Sequence, residues 1–175
     1  MQIEFNAQTI DETVKNIAVQ MMIAAQTAPK GRGVDTLNFL VLTGAEKDQL
    51  AATMDKIALR DKLDFFARDA QNIRSASAVL LIGTDNSVRG LNCALCGHAT
   101  CSQKPVNQPC VFNEVDLGIA IGSAVSSAGM FKVDNRVMYS AGKTAMEMNL
   151  MKKTVTTIFA IPLSVAAKSI FYDRK

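Results

Sequence analysis

Apolar residues recur at helical spacing from Ile10 through Val14, Ile17, Ala18 and Met21 to Ala25, which predicts an amphipathic helix. Thr9 and Glu12 have the spacing of a capping box at its start, and Pro29 stops it. Leu37 to Leu42 is apolar almost without a break, the mark of a largely buried strand. Thr43 to Glu46 repeats the capping-box spacing before a second helix carrying Leu50, Met54 and Ile57. A charged amphipathic stretch over 61–74 leads to a second strand, Ala78 to Ile82, which Gly83 ends.

Beyond a polar segment, a helix over 114–130 buries Leu117, Ile121, Ala124 and Val125. It places Gly118, Gly122, Ser126 and Ala128 where neighbouring backbones can approach. Asp134 and Asn135 predict a turn, Val137 to Tyr139 a short strand and Thr144 to Met151 a helix. Val155 to Ile161 is a third main strand, closed by Pro162. This order of elements predicts an α/β or α+β layer structure with one core, residues 1–175 forming a single domain. Residues 84–113 are expected to be an insertion within it.

A chain of 175 residues with 49% hydrophobic content has enough apolar material for a sizeable core. Size alone does not demand a metal. The net charge of +3 comes from 19 basic and 16 acidic residues without a basic run, which argues against nucleic acid as a partner. The longest uncharged stretch, Leu117 to Phe131, has 15 residues, short of the ~20 that a membrane span needs. A buried helix and no membrane partner are expected there. The chain opens on Met1, Gln2 and Ile3 without the features of a secretion signal, so a reducing cytoplasmic location is expected.

That compartment changes how the cysteines are read. All four, Cys93, Cys96, Cys101 and Cys110, fall within 18 residues in a C-x2-C-x4-C-x8-C array. A pair of disulfides is the poorest reading in a reducing compartment, and four soft thiolates so close together predict a metal site. Zinc and a 4Fe-4S cluster both accept such a set. Only the first pair forms a knuckle, the others sit singly, and Pro109 stands beside the last cysteine. This spacing favours the cluster and leaves zinc as the alternative.

His98 is the single histidine and lies inside the array, so hydrolytic triads are not expected. It is read as an exposed loop residue, with donation to a cluster sulfur as the other role. The nine methionines are read as core or interface filling. Between the first helix and first strand, Lys30, Gly31, Arg32, Gly33 and Asp35 join two cations to two glycines. Such a loop either cradles a phosphate on backbone N–H groups or is an exposed turn.

Thr27 to Lys30, the cysteine array, Asp116 to Ala124 and the ending Ile161 to Ser164 and Phe171 to Arg174 together resemble an uncharacterised family of bacterial and archaeal ferredoxin-domain proteins. The resemblance implies an iron-sulfur cluster on Cys93, Cys96, Cys101 and Cys110, with no reaction attached. Ala28 and Pro29 ending the first helix, followed by a strand and a helix, are more distantly similar to the flavin-dependent nitroreductases. That resemblance implies an α+β, nitroreductase-like sheet with helices and an inserted four-cysteine loop, a homodimer, and FMN contacted by the loop of residues 29–35. The chain departs from that family by carrying Lys30, Gly33 and Asp35 where Ser, Asn and Gln are usual. It also lacks the early Arg-x-Ser-x-Arg phosphate clamp.

The expectation is an iron-sulfur redox protein acting in electron transfer or as an oxidoreductase, with its substrate and redox partner unnamed. A non-enzymatic, zinc-stabilised interaction module is the alternative. A flavoenzyme in which the cluster feeds FMN is the third reading.

Overall fold

The computed structural model describes residues 2–152 and 154–172. Met1, Lys153 and the terminal residues from Asp173, two of which belong to the segment that carries the resemblance, lie outside the described residues. Among the described residues there are five α-helices: α1 Ala7–Thr27, α2 Gly44–Asp61, α3 Asp64–Ser75, α4 Val111–Met130 and α5 Tyr139–Glu147. Four strands, β1 Leu37–Leu42, β2 Ala78–Asp85, β3 Asp134–Asn135 and β4 Val155–Ser164, form one antiparallel sheet in the order β1-β2-β4-β3. The fold is therefore α+β, as expected.

The central strand β2 explains the layering. Its side chains alternate between the faces of the sheet, and Ala78 to Ile82 are all fully buried. Val79 and Leu81 pack with Met54, Phe66, Ile73 and Ala141 of α2, α3 and α5. Leu80 and Ile82 pack with Met21, Leu117 and Ala124 of α1 and α4. Each fully buried aliphatic side chain contributes about 1.5–3 kcal/mol, so this double-sided strand anchors both helical layers.

Several local expectations are corrected. The side chain of Asn6, not Thr9, caps α1, accepting the Thr9 amide at 3.0 Å. Thr43 occupies the N-cap of α2 without a side-chain hydrogen bond. The charged stretch becomes α3 only from Asp64, and β2 runs past Gly83 to Asp85. Asp134 and Asn135 pair with Ser164 and Leu163 as a short strand, and Met138 makes a lone bridge to Ala160 before α5 begins at Tyr139. α4 is buried on one side only, with Val115, Gly118, Ile119 and Gly122 exposed.

β4 continues through Pro162, which lies opposite Val79. Both backbone groups of Ala160 bond to Met138, so two residues on the Pro162 nitrogen also turns away from β2. Its missing N–H removes no bond from that ladder. No helix among the described residues is long and apolar enough to cross a membrane.

Candidate metal centre

The cysteine loop leaves β2 at Asp85 and ends where Cys110 occupies the N-cap of α4. Asn113 in the first turn of α4 holds the start of the loop, donating to the carbonyls of Asp85 and Ser87 at 2.7 and 2.8 Å. The Asn86 side chain donates to the Val106 carbonyl further along. These bonds bring the two ends of the loop together.

All four cysteines are free thiols and line one cavity, shared with His98, Lys104 and Val88. Cys110 is 7% exposed, Cys96 and Cys101 are half-buried, and Cys93 is exposed. Four residues along the first part of the loop have positive φ: Gly90 at 69°, Asn92 at 49°, Ala94 at 59° and Gly97 at 85°. Left-handed residues interspersed in a short loop turn backbone N–H groups into a concavity that suits anions and iron-sulfur groups. The Asn92 amide donates to Cys101 Sγ at 3.4 Å, and the Asn92 side chain accepts the Cys101 amide at 2.8 Å.

The far wall is fixed by a second set of bonds. His98 Nε2 and Gln108 Oε1 are 2.7 Å apart, and Gln108 Nε2 donates to the Cys96 carbonyl at 2.9 Å. His98 is thus half-buried and bonded, not merely exposed. Lys104, almost wholly buried, donates to the carbonyls of Pro105 and Gln108 at 3.1 and 2.5 Å. A lysine at this position would offset the negative charge of sulfurs bound to a metal. The donor set therefore fits a soft metal or cluster. Its free volume is only about 10 Å³, so an inorganic core would require the loop to spread. Among the described residues no three His, Cys, Asp or Glu side chains are grouped so as to hold a single metal ion.

The loop of residues 29–35 is built differently from a free cradle. Lys30 Nζ donates to the carbonyls of Ala25, Gln26 and Ala28 at 3.3, 2.5 and 3.0 Å, satisfying the C-terminus of α1. Asp35 accepts the Gln26 side chain and the Leu37 amide at 2.5 and 3.0 Å. Gly31 donates its amide to both oxygens of Asp116 at 3.0 and 3.1 Å. Arg32, at φ 59° and followed by Gly33 at 66°, donates to the Arg89 carbonyl at 2.8 Å. The loop and the cysteine segment therefore touch through Arg89.

Arg89, Asp116 and Asn113 are functional candidates that sequence reading missed. Isolated polar residues beside apolar runs carry no spacing signal. Arg89 is 2% exposed, and among the described residues its Nε and Nη1 have no hydrogen-bond partner; nor does Asn113 Oδ1.

A family described as uncharacterised proteins containing a ferredoxin domain matches residues 107–174. The chain is 38% identical to an uncharacterised protein of Archaeoglobus fulgidus over 94% of this chain and 93% of that one. Solved structures share the fold at low identity. A Lactococcus lactis nitroreductase in complex with nicotinic acid is 17% identical, with a TM-score of 0.62 over 91% of this chain and 84% of that chain. A nitroreductase from Desulfovibrio desulfuricans in complex with FMN is 15% identical, with a TM-score of 0.59 over 90% of this chain and 77% of that chain.

Proposed function

Because the chain belongs to the family of uncharacterised proteins containing a ferredoxin domain, we propose that it is a redox protein whose four cysteines hold a 4Fe-4S cluster. The observation that carries this reading is the single cavity lined by Cys93, Cys96, Cys101 and Cys110 on a loop of left-handed residues. Tetrahedral zinc needs sulfurs within about 4 Å of one another, whereas a cluster spreads them round a larger core.

When bound, the cluster would supply one-electron transfer at the surface of the sheet. The protein's own part is to set its environment. The Asn92 amide donates to a ligand sulfur, Lys104 places a buried positive charge beside the thiolates, and Gln108 orients His98. The N-terminus of α4 at Cys110 adds a further positive field.

In this reading 84–113 is a metal-binding insertion in one domain spanning 1–175, and the protein works in the cytoplasm as a homodimer with a redox partner. The exposed apolar residues Val115 and Ile119 on α4, and Val19 and Ile23 on α1, suit self-association. A flavin is the second redox group this fold offers, as in the Desulfovibrio protein bound to FMN. Its contacts would come from Lys30, Gly31, Arg32, Gly33 and Asp35. Lys30 would have to leave the α1 carbonyls to meet a phosphate.

Zinc remains the second reading, favoured by the narrow volume between the sulfurs. Anaerobic purification followed by iron, sulfide, zinc and flavin analysis tests all three. About four irons and four sulfides per chain, lost on Cys93→Ala or Cys110→Ala, are expected. One zinc and no sulfide would replace the redox reading with the interaction module. Flavin released on denaturation would add the FMN step.

A further inference from the structure

Beside the metal centre, α4, α5 and β4 border an open pocket of about 320 Å³, with Glu114, Tyr139, Lys143, Met146, Thr156 and Phe159 on its walls. This is the size of a small-ligand site, at the lower end of the ~300–1,000 Å³ range.

The cavity is tied to the metal site through the chain. The Glu114 amide donates to the Cys110 carbonyl at 3.2 Å, so a wall residue and a metal ligand lie one helical turn apart. The opposite wall is a break in the sheet. Thr157 pairs with Thr84 and Val155 with Asp85, which leaves Thr156 without a residue opposite it in β2. Such a bulge bends a strand and re-aims its side chains, and bulges are over-represented beside sites. Gly142 fixes the third wall: a Cβ there would stand 2.0 Å from the Ile158 carbonyl oxygen, so the α5 backbone rests directly on β4.

The chemistry of the walls selects a ligand. Tyr139, Met146 and Phe159 offer an apolar surface for a flat ring. Glu114 is already committed, accepting the Thr157 hydroxyl at 2.9 Å. Lys143 makes no hydrogen bond or ion pair among the described residues. It lies in the field of Asp61 and Glu147, two carboxylates that share the one guanidinium of Arg60. Lys143 is therefore the cation of the cavity left to meet a ligand, while Glu114 keeps its charge under the neutral Thr157 hydroxyl.

We infer that this cavity binds a small aromatic carboxylate, its ring between Tyr139, Met146 and Phe159 and its carboxylate on Lys143. The binding stands on the cavity alone. It rests on the cluster reading only in giving the ligand a redox neighbour, one turn from Cys110, which makes this the substrate class of the proposed redox protein.

Fluorine NMR on the purified full-length protein tests it, with 4-fluorobenzoate as the anionic probe and 4-fluorobenzyl alcohol as the neutral one. Saturable broadening of the benzoate is expected, weakened about tenfold by Lys143→Met, with the alcohol unaffected by that change. Tyr139→Ala is expected to weaken both. No saturable broadening, or benzoate binding indifferent to Lys143→Met, overturns the site. Iron and sulfide are assayed on the same sample. Binding to protein that holds no iron when purified anaerobically keeps the site and overturns the cluster. Iron-loaded protein that fails to bind overturns the site alone.

Discussion

Arg89 and Asp116 form an ion pair of 2.8 Å in which both side chains are almost wholly buried, Arg89 Nη2 donating to Asp116 Oδ2. The pair joins three parts of the chain. Arg89 leads into the cysteine loop, Asp116 belongs to α4, and Asp116 also accepts the Gly31 amide from the loop of residues 29–35. Arg89 Nη2 adds a bond of 3.1 Å to Thr36 Oγ1 at the start of β1.

Asp116→Ala should therefore cost about 3–5 kcal/mol, since it leaves a guanidinium buried without its counter-charge. Replacing both partners with apolar residues, Arg89→Met with Asp116→Leu, should recover much of that loss. Chemical denaturation of the two variants checks the order. Equal losses would mean that the pair stabilises by more than mutual compensation.

Two glycines should respond in opposite directions. Gly142→Ala drives a Cβ to within 2.0 Å of the Ile158 oxygen and 2.7 Å of its carbonyl carbon, backbone atoms that cannot swing aside. A loss of at least about 3 kcal/mol is expected. Gly129, helical and with nothing within 4 Å of an added Cβ, should gain about 0.5–1 kcal/mol on substitution by Ala. Thermal melts of both variants read the contrast.

The layers and the cysteine array were legible in the sequence because each rests on a local signal. Ala78 to Ile82 reads as a strand buried on both faces, and four cysteines within 18 residues stand out by their spacing before any fold is known. Element ends were less legible. Pro162 stays within β4 because its nitrogen faces away from β2, a property of register that one strand's sequence does not contain. Asn6 precedes the helical pattern and was overlooked beside the Thr9 spacing. Arg89 and Asp116, 27 residues apart, meet only after folding. Lys30 looked available for an anion, yet the unpaired carbonyls at the end of α1 claim it first.

Asn92 is expected to govern how firmly the loop holds the proposed cluster. Its left-handed backbone aims an amide at Cys101 Sγ, while its side chain accepts the Cys101 amide. Asn92→Gly keeps the backbone preference and loses the side-chain bond, worth about 1 kcal/mol or roughly fivefold in a rate. Asn92→Ala loses the bond and strains the backbone by about 1 kcal/mol more. Iron release to a chelator should therefore quicken from wild type to Gly to Ala. Indistinguishable rates in the two variants would remove the backbone argument.

If the proposed homodimer forms through the outer side of α4, Ile119→Glu should convert it to monomer without unfolding it. Ile119 is 43% exposed, between Gly118 and Gly122, and makes no part of either buried core. A charge opposite itself across a two-fold interface repels its copy. Light scattering with circular dichroism reads both properties. A dimeric Ile119→Glu protein would move the interface elsewhere.

The last prediction concerns acid stability and rests on Arg60. Its guanidinium donates to Asp61 at 2.7 and 2.8 Å and to Glu147 at 2.6 and 3.1 Å, tying the end of α2 to the end of α5. These hydrogen bonds hold both carboxyls below their ordinary values of 3.8 and 4.5 and raise the Arg60 guanidinium. The unfolded chain therefore takes up protons at these positions before the folded one does. Stabilisation is complete above the unfolded carboxylate values and is lost as pH falls through the lower folded ones. Arg60→Gln should consequently lower the melting temperature most near neutral pH, with the difference from wild type shrinking below about pH 4. All three groups are exposed, so the effect should be small and should weaken further in molar salt. A difference that stayed constant from pH 7 to pH 3 would mean that Arg60 acts by packing its stem against α5, not through its charge.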